Sequence, residues 1–362
     1  MLSAARILQV KWALVAAALL GSLTIFTVDA SGSASTRSSS APPNDFLANE
    51  LAGQYKCERH TSSGDLTGEA AFVGDNRTPL ILVTGTGASG DAAYAIGKPA
   101  FDEEGRTVCW TSFPDAPPAT SYNTTGDIQK SVQYLVYAIK QTYSSAGNRK
   151  VAVFGISQGG LLARLAVTYW PELRSKVSDV ISAAGTHHGT TTVTNACTAS
   201  VPCPPAGWQQ KKGSNLLKAL NSQPDETPGR SIGWTTIRSL SDQTVKPITR
   251  KAKTSTSALK GATNILIQDF CPKRKTSHIG TALDSITFSA IQDAMSHPGP
   301  AKAKRMKKPV GGCGTRYAPG YTNSEGDTLI ALANGVTGGN QTSMPTVSSE
   351  PVVDAWFKKK HP

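Results

Sequence analysis

The chain has 362 residues, of which 39% are hydrophobic and 17% charged. That is enough for one large domain with a substantial core, and ordinary enough to exclude bulk disorder and a multi-span membrane protein. The net charge is +12, with basic clusters at Lys273-Arg274-Lys275, Lys302 to Lys308 and Lys358-Lys359-Lys360; they lack the aromatic or helical context of nucleic-acid binding, so no nucleic-acid partner is expected, and they read as solvated faces able to attract anionic lipid.

Arg6 and Lys11 precede an almost wholly apolar run from Trp12 to Val28, and Val28-Asp29-Ala30 offers small residues at the two cleavage-determining positions. Residues 1–30 therefore read as a signal peptide, with a retained anchor as the alternative because the run approaches the length of a membrane span. Residues 31–44 are rich in Ser, Gly and Pro and read as a flexible linker. Residues 45–362 are expected to form one catalytic domain, and the export signal implies a secreted or cell-envelope location.

The short apolar run Pro79 to Val83 predicts a buried strand ending in a glycine-rich loop, and Thr107 to Trp110 a second strand. Ile128 to Tyr143 has apolar residues at helical spacing. Lys150 to Phe154 is the next strand, and Leu161 to Trp170 suits a helix that stops near Pro171. Val177 to Ala184, Thr235 to Leu240 and Asn264 to Gln268 complete the strand series. This alternation predicts an α/β fold, with a mostly parallel central sheet and helices on both faces.

Six cysteines in an exported chain predict three disulfides, with fifteen possible connectivities. Cys197 and Cys203 are close across a proline-containing loop, so a local bridge is the simplest pairing. No CxxC pair and no Cys/His cluster at zinc spacing occurs, so no metal site and no cofactor are expected.

Gly155-Ile156-Ser157-Gln158-Gly159 matches G-x-S-x-G, a turn that lifts a serine from a strand end to the head of a helix. Small residues two positions either side let the backbone fold that tightly. The backbone N–H of Gln158 then suits an oxyanion. Gly229-Arg230-Ser231-Ile232-Gly233 fits the same pattern, but it follows a Pro- and acid-rich loop and leads into a strand. Context therefore selects Ser157. Gly85-Thr86-Gly87-Ala88-Ser89-Gly90 fits the dinucleotide pattern G-x-G-x-x-G, with Asp102, Glu103 and Glu104 near the distance of a ribose contact. An exported, disulfide-bearing chain rarely meets free nicotinamide cofactor. The loop instead suits the second oxyanion donor, Thr86.

A triad on such a sheet runs in the order Ser, acid, His. His187 and His188 come too soon after Ser157 and are expected to line the pocket. His361 lies on a charged tail and His297 in a proline-rich loop. His278 follows the last strand by a loop and is the expected base. Asp242 just past Thr235 to Leu240 is the expected acid, with Asp225, Glu226 and Asp269 as competitors.

The chain here resembles Candida antarctica lipase B and its relatives, lipases and esterases of the α/β-hydrolase superfamily. The likeness is carried by Leu82 to Gly87, Ser157-Gln158-Gly159-Gly160-Leu161, Pro171 to Val177, Trp208-Gln209-Gln210, Ser239 to Pro247 and Ser277-His278-Ile279-Gly280. It spans about Asp45 to Tyr317. The resemblance implies an α/β-hydrolase fold, a triad of Ser157, Asp242 and His278, and oxyanion residues Thr86 and Gln158. It also implies bridges Cys57–Cys109 and Cys271–Cys313, leaving Cys197–Cys203 as an addition. Ile156 stands where that lipase has a tryptophan, which predicts a differently shaped pocket, and Ile156, His187 and Ile279 are the pocket candidates. Gly185 to Thr190 looks more like bacterial class 2 lipases. The lid-like insertion around 190–220 is proline-rich and pinned by Cys197–Cys203, which argues against interfacial activation. The implied activity is hydrolysis of carboxylic esters of lipids or acylglycerols by a monomer, at a lipid–water interface or in solution. An acyltransferase with the same triad and a non-catalytic binding protein are the alternatives.

Overall fold

The computed structural model describes residues 42–44, 46, 48–115, 122–306, 312–339 and 345–361. The expected signal peptide at 1–30 and all but the end of the expected linker at 31–44 lie outside the described residues. Among the described residues no helix is long and apolar enough to cross a membrane.

Eight strands form one sheet: β1 (Tyr55–Thr61), β2 (Gly64–Thr67), β3 (Leu80–Val83), β4 (Val108–Thr111), β5 (Val151–Ile156), β6 (Val177–Ala183), β7 (Gly233–Arg238) and β8 (Thr263–Leu266). Their order is β2-β1-β4-β3-β5-β6-β7-β8. From β4 to β8 every pairing is parallel, while β1 runs antiparallel to both β2 and β4. Two expected strand ends move. β7 stops at Arg238, not Leu240, and β8 stops at Leu266, where Ile267–Phe270 turns into a short helix. The β1–β2 hairpin was not legible in sequence, because Cys57 is the one fully buried residue of β1 and an edge hairpin has little apolar pattern to show.

Strand side chains alternate between two apolar layers, as the two-residue period of a strand requires. Ile81, Val83, Val151 and Val153 face one layer with the helices Ile128–Ser145 and Gln158–Tyr169. Leu80, Leu82, Ala152 and Phe154 face the other with the helices Gly90–Asp102 and Ser285–Ser296. A register irregularity between Val151/Ala152 and β6 lets Val177 and Val180 both reach the first layer. The helices start where sequence supplies caps: Ser89 Oγ accepts from the Ala92 N–H, and Asp127 from the Gln129 N–H.

The three disulfides pair Cys57–Cys109, Cys197–Cys203 and Cys271–Cys313, and no free cysteine occurs among the described residues. Cys57 and Cys109 are register partners on β1 and β4, so that bridge staples the antiparallel edge to the parallel sheet.

The C-terminal segment is docked, which corrects the expectation of a charged tail around His361. Val347 and Cys203 exchange backbone hydrogen bonds of 3.3 and 2.8 Å. Trp208 Nε1 donates to Val347 O at 2.8 Å. Glu350 accepts from the Asn215 and Leu216 N–H groups at the start of the helix Asn215–Asn221. Phe357 is fully buried against Tyr169 and Trp170, and the His361 N–H donates to Gln223 Oε1 at 2.9 Å. The segment thus straps residues 203–223 onto the body of the domain.

Candidate active site

Thr86, Ser157, Asp242 and His278 follow β3, β5, β7 and β8, all at the carboxyl edge of the parallel strands. That edge is where open α/β sheets bind ligands, because loops there are free to vary above a rigid support.

Ser157 caps the helix Gln158–Tyr169 with φ 56° and ψ −122°, a conformation that L-residues rarely adopt. Holding it costs on the order of 1–3 kcal/mol and needs a surround that leaves no alternative. The neighbouring glycines provide one. A Cβ on Gly155 would fall 2.3 Å from the Gly159 carbonyl carbon, and one on Gly159 2.2 Å from Val83 O. A Cβ on Gly160 would meet Ser182 Oγ at 2.0 Å. The serine is 8% exposed and its N–H donates to Ala183 O at 2.9 Å. Ser231, the rival serine, is exposed in the turn before β7.

His278 Nδ1 lies 2.9 Å from Asp242 Oδ2. The other carboxylate oxygen of Asp242 accepts the Thr244 and Val245 N–H groups, each at 2.8 Å. Those two bonds hold the buried carboxylate in place. The His278 N–H donates to Gln243 Oε1 at 3.1 Å, which fixes the backbone of the His278 loop to the loop after Asp242. Among the described residues no hydrogen bond joins the Ser157 hydroxyl to the His278 ring; such bonds are often loose without substrate and tighten in the complex. The competing acids are engaged elsewhere. Asp269 is exposed on Arg250, Glu226 pairs with His188, and Asp225 accepts from the Thr227 N–H.

Neither the Thr86 nor the Gln158 backbone N–H donates to another group among the described residues. Both are therefore free for an anion at the N-terminus of the helix Gln158–Tyr169. The Thr86 hydroxyl donates to Gln158 Oε1 at 2.5 Å. Gln210 Nε2 donates to both Thr86 Oγ1 and Gln158 Oε1, at 2.9 and 3.1 Å. Gln210 is held in turn by the Thr186 hydroxyl at 3.0 Å. The sequence marks it only as part of the stretch Trp208-Gln209-Gln210; its position shows only once residues 205–210 fold against the Thr86 loop. Gln209, beside it, accepts the Ile128 N–H and donates to Asp127, which makes it a helix-start residue.

Ile156 is half-buried against the layer containing Phe154, Ile181 and Ile286. Ile279 is half-buried in a separate apolar cluster with Ala92, Leu283, Leu329 and Ile330, which joins the His278 loop to the helix Asn323–Gly339. His187 departs from expectation. It has no exposed surface, so it cannot line an open pocket, and its Nε2 sits 3.0 Å from Ser182 Oγ. Burial, with the Arg164 charge beside it, holds its ring well below the usual histidine range and therefore neutral. Arg164, on the helix behind Ser157 and fully buried, donates to His187 O, Asn221 Oδ1 and Glu226 O. It ties the loop after β6 and the helix Asn215–Asn221 to the helix Gln158–Tyr169. Among the described residues no group of three His, Cys, Asp or Glu side chains could hold a metal ion.

A family model for palmitoyl protein thioesterases matches residues 100–224. Lipase B of Pseudozyma antarctica is 30% identical over 232 residues, 64% of this chain and 65% of that protein. The chain thus spans just under two thirds of that curated relative. The crystal structure of Aspergillus fumigatus lipase B superimposes with a TM-score of 0.69 at 24% identity, over 86% of this chain and 72% of that one. The chain therefore has the α/β-hydrolase fold, and in sequence and architecture it is similar to the lipase B proteins.

Proposed function

We propose that the chain is a secreted serine hydrolase that cleaves carboxylic esters of lipids or acylglycerols. One observation carries the reading: the 2.9 Å His278–Asp242 bond stands on the same sheet edge as a serine held at φ 56°. Similarity to the lipase B proteins supports the substrate class. Three disulfides are compatible with export.

In the proposed reaction Ser157 Oγ attacks the ester carbonyl while His278 Nε2 takes its proton. Asp242 keeps the ring in the tautomer with Nδ1–H and stabilises the imidazolium that forms. Negative charge develops on the carbonyl oxygen, where the Thr86 and Gln158 N–H groups receive it. The imidazolium returns the proton to the leaving alkoxide, an alcohol departs, and an acyl-Ser157 ester remains. Water, deprotonated by His278, attacks that ester; the acid leaves and Ser157 recovers its proton.

Purified Ser157→Ala should lose roughly 10⁴- to 10⁶-fold in kcat on p-nitrophenyl esters, and a fluorophosphonate label should map to the Ser157 peptide. Full activity in that variant would sink the assignment.

A second reading has its own observation. The thioesterase-family match covers Ser157 and the segment after it. The same residues would cleave a thioester, with a thiolate as the leaving group. Comparing kcat/KM for a palmitoyl thioester and a palmitoyl oxygen ester decides between them.

A further inference from the structure

The basic clusters of this chain fall at different places on the fold. Lys302 and Lys304 lie beside the first half of β7, since the Ala301 N–H donates to Thr235 Oγ1 at 3.0 Å and Gly299 abuts Gly233. That end of the strand points away from Asp242. Lys358 to Lys360 follow Phe357, which packs on Tyr169 at the far end of the helix that starts beside Ser157. Twelve residues of helix put that end roughly 18 Å from the serine.

The third cluster is different. Lys273 and Lys275 are exposed on the loop that leads to His278. The loop is knitted to the end of β7: Ser239 Oγ donates to Thr276 O at 2.7 Å, and Gln268 Nε2 donates to Arg274 O at 2.9 Å. Arg250, Lys251 and Lys253, exposed on the loop after Asp242, are pinned to the same place. Arg238, the last residue of β7, donates to Thr249 O and Arg250 O, and Arg250 pairs with Asp269 at 3.2 Å. Arg274 anchors the neighbourhood from below, bonded to Asp284, Cys313 O and Thr315 O. Among the described residues none of Lys251, Lys253, Lys273 and Lys275 has an ion-pair partner. Asp327, an acid on the adjoining helix, is engaged by Arg316 at 2.8 Å.

We infer that this rim of cations, on the Asp242–His278 flank of the catalytic edge, is a docking surface for an anionic lipid interface. The inference rests on the proposed reading of the chain as a lipid-ester hydrolase. A fixed positive rim beside the site holds the catalytic edge against negatively charged headgroups, and the half-buried Ile279 lies next to it. Evenly scattered charge would bind the same interface in orientations that leave Ser157 facing water. Each cation near such a surface strengthens binding about fivefold, and salt weakens the effect within a Debye length.

The test is co-sedimentation of the full chain with vesicles of phosphatidylglycerol and phosphatidylcholine, against pure phosphatidylcholine. Two charge-matched variants are compared, Lys253→Glu with Lys273→Glu, and Lys302→Glu with Lys304→Glu. The first should lose at least about 25-fold in affinity for the anionic vesicles and the second should stay near wild type. Raised salt should weaken wild-type binding. Equal binding to both vesicle types, equal losses in the two variants, or no binding to anionic vesicles would each overturn the docking surface. A soluble-ester assay run in parallel keeps the two claims apart. Both variants should hydrolyse the soluble ester at the wild-type rate, and vesicle binding without any ester hydrolysis would count against the hydrolase and not against the docking.

Discussion

Gln210 Nε2 lies 2.9 Å from Thr86 Oγ1, so a residue from the 205–210 segment reaches directly into the loop proposed to receive the oxyanion. The same nitrogen contacts Gln158 Oε1, the side chain of the other proposed donor. One side chain therefore bridges the side chains of two residues that follow different strands. The strap from Val347 to His361 and the Cys197–Cys203 bridge hold that segment in place.

Gln210→Leu keeps the volume but removes the donor. Thr86 and Gln158 lose their shared partner, and kcat on a soluble ester should fall about 10- to 100-fold with KM little changed. A wild-type kcat would remove Gln210 from the site.

Asp242→Asn tests the proposed acid separately from the proposed base. The amide can still hydrogen-bond but favours the wrong imidazole tautomer, so kcat should fall about 10⁴-fold while the melting temperature changes little. Retained activity would return the role to one of the competing acids.

Asp179 offers a test of pH dependence away from the site. It sits on β6 opposite Gly233, 4% exposed, and one of its carboxylate oxygens has no partner. Burial pushes its carboxyl up to about 7. An acid whose folded value is raised favours folding when protonated. Its cost is absent below about pH 4, grows as pH rises through the gap between unfolded and folded values, and is complete above about 7. Asp179→Asn removes the cost, so it should stabilise by on the order of 2–4 kcal/mol at pH 8 and little at pH 4. Denaturant midpoints at the two pH values measure it; equal gains at both would show that ionisation is not the cause.

The docked C-terminus should matter for stability more than for chemistry. Phe357→Ala empties a fully buried site beside Tyr169 and Trp170 and should cost about 3–5 kcal/mol in equilibrium unfolding. A change below about 0.5 kcal/mol would mean the segment is not packed in solution.

The bridges should differ by the loops they close. Cys57–Cys109 spans 52 positions and Cys197–Cys203 spans 6. Chain entropy gives about 4 and about 2 kcal/mol respectively. Paired Cys→Ser variants should therefore rank in that order in denaturant unfolding.

Sequence alone determined the layered sheet, because buried parallel strands are short apolar runs that read the same wherever they sit. It also favoured Ser157 over Ser231, since a strand before and a helix after are local features, and it favoured Asp242 and His278 over their competitors by their places just past the last strands. Their meeting at 2.9 Å was decided by the tertiary structure. It depends on β7 and β8 being neighbours and on Gln243 and Ser239 fixing two loops together. His187 shows the converse: its sequence position suggested a pocket wall, but Arg164 and Ser182 draw it into the interior. Gln210, the docked His361 and the cationic rim were decided in the same way. Each depends on segments far apart in the chain, and local propensity carries no information about which distant surfaces will cover one another.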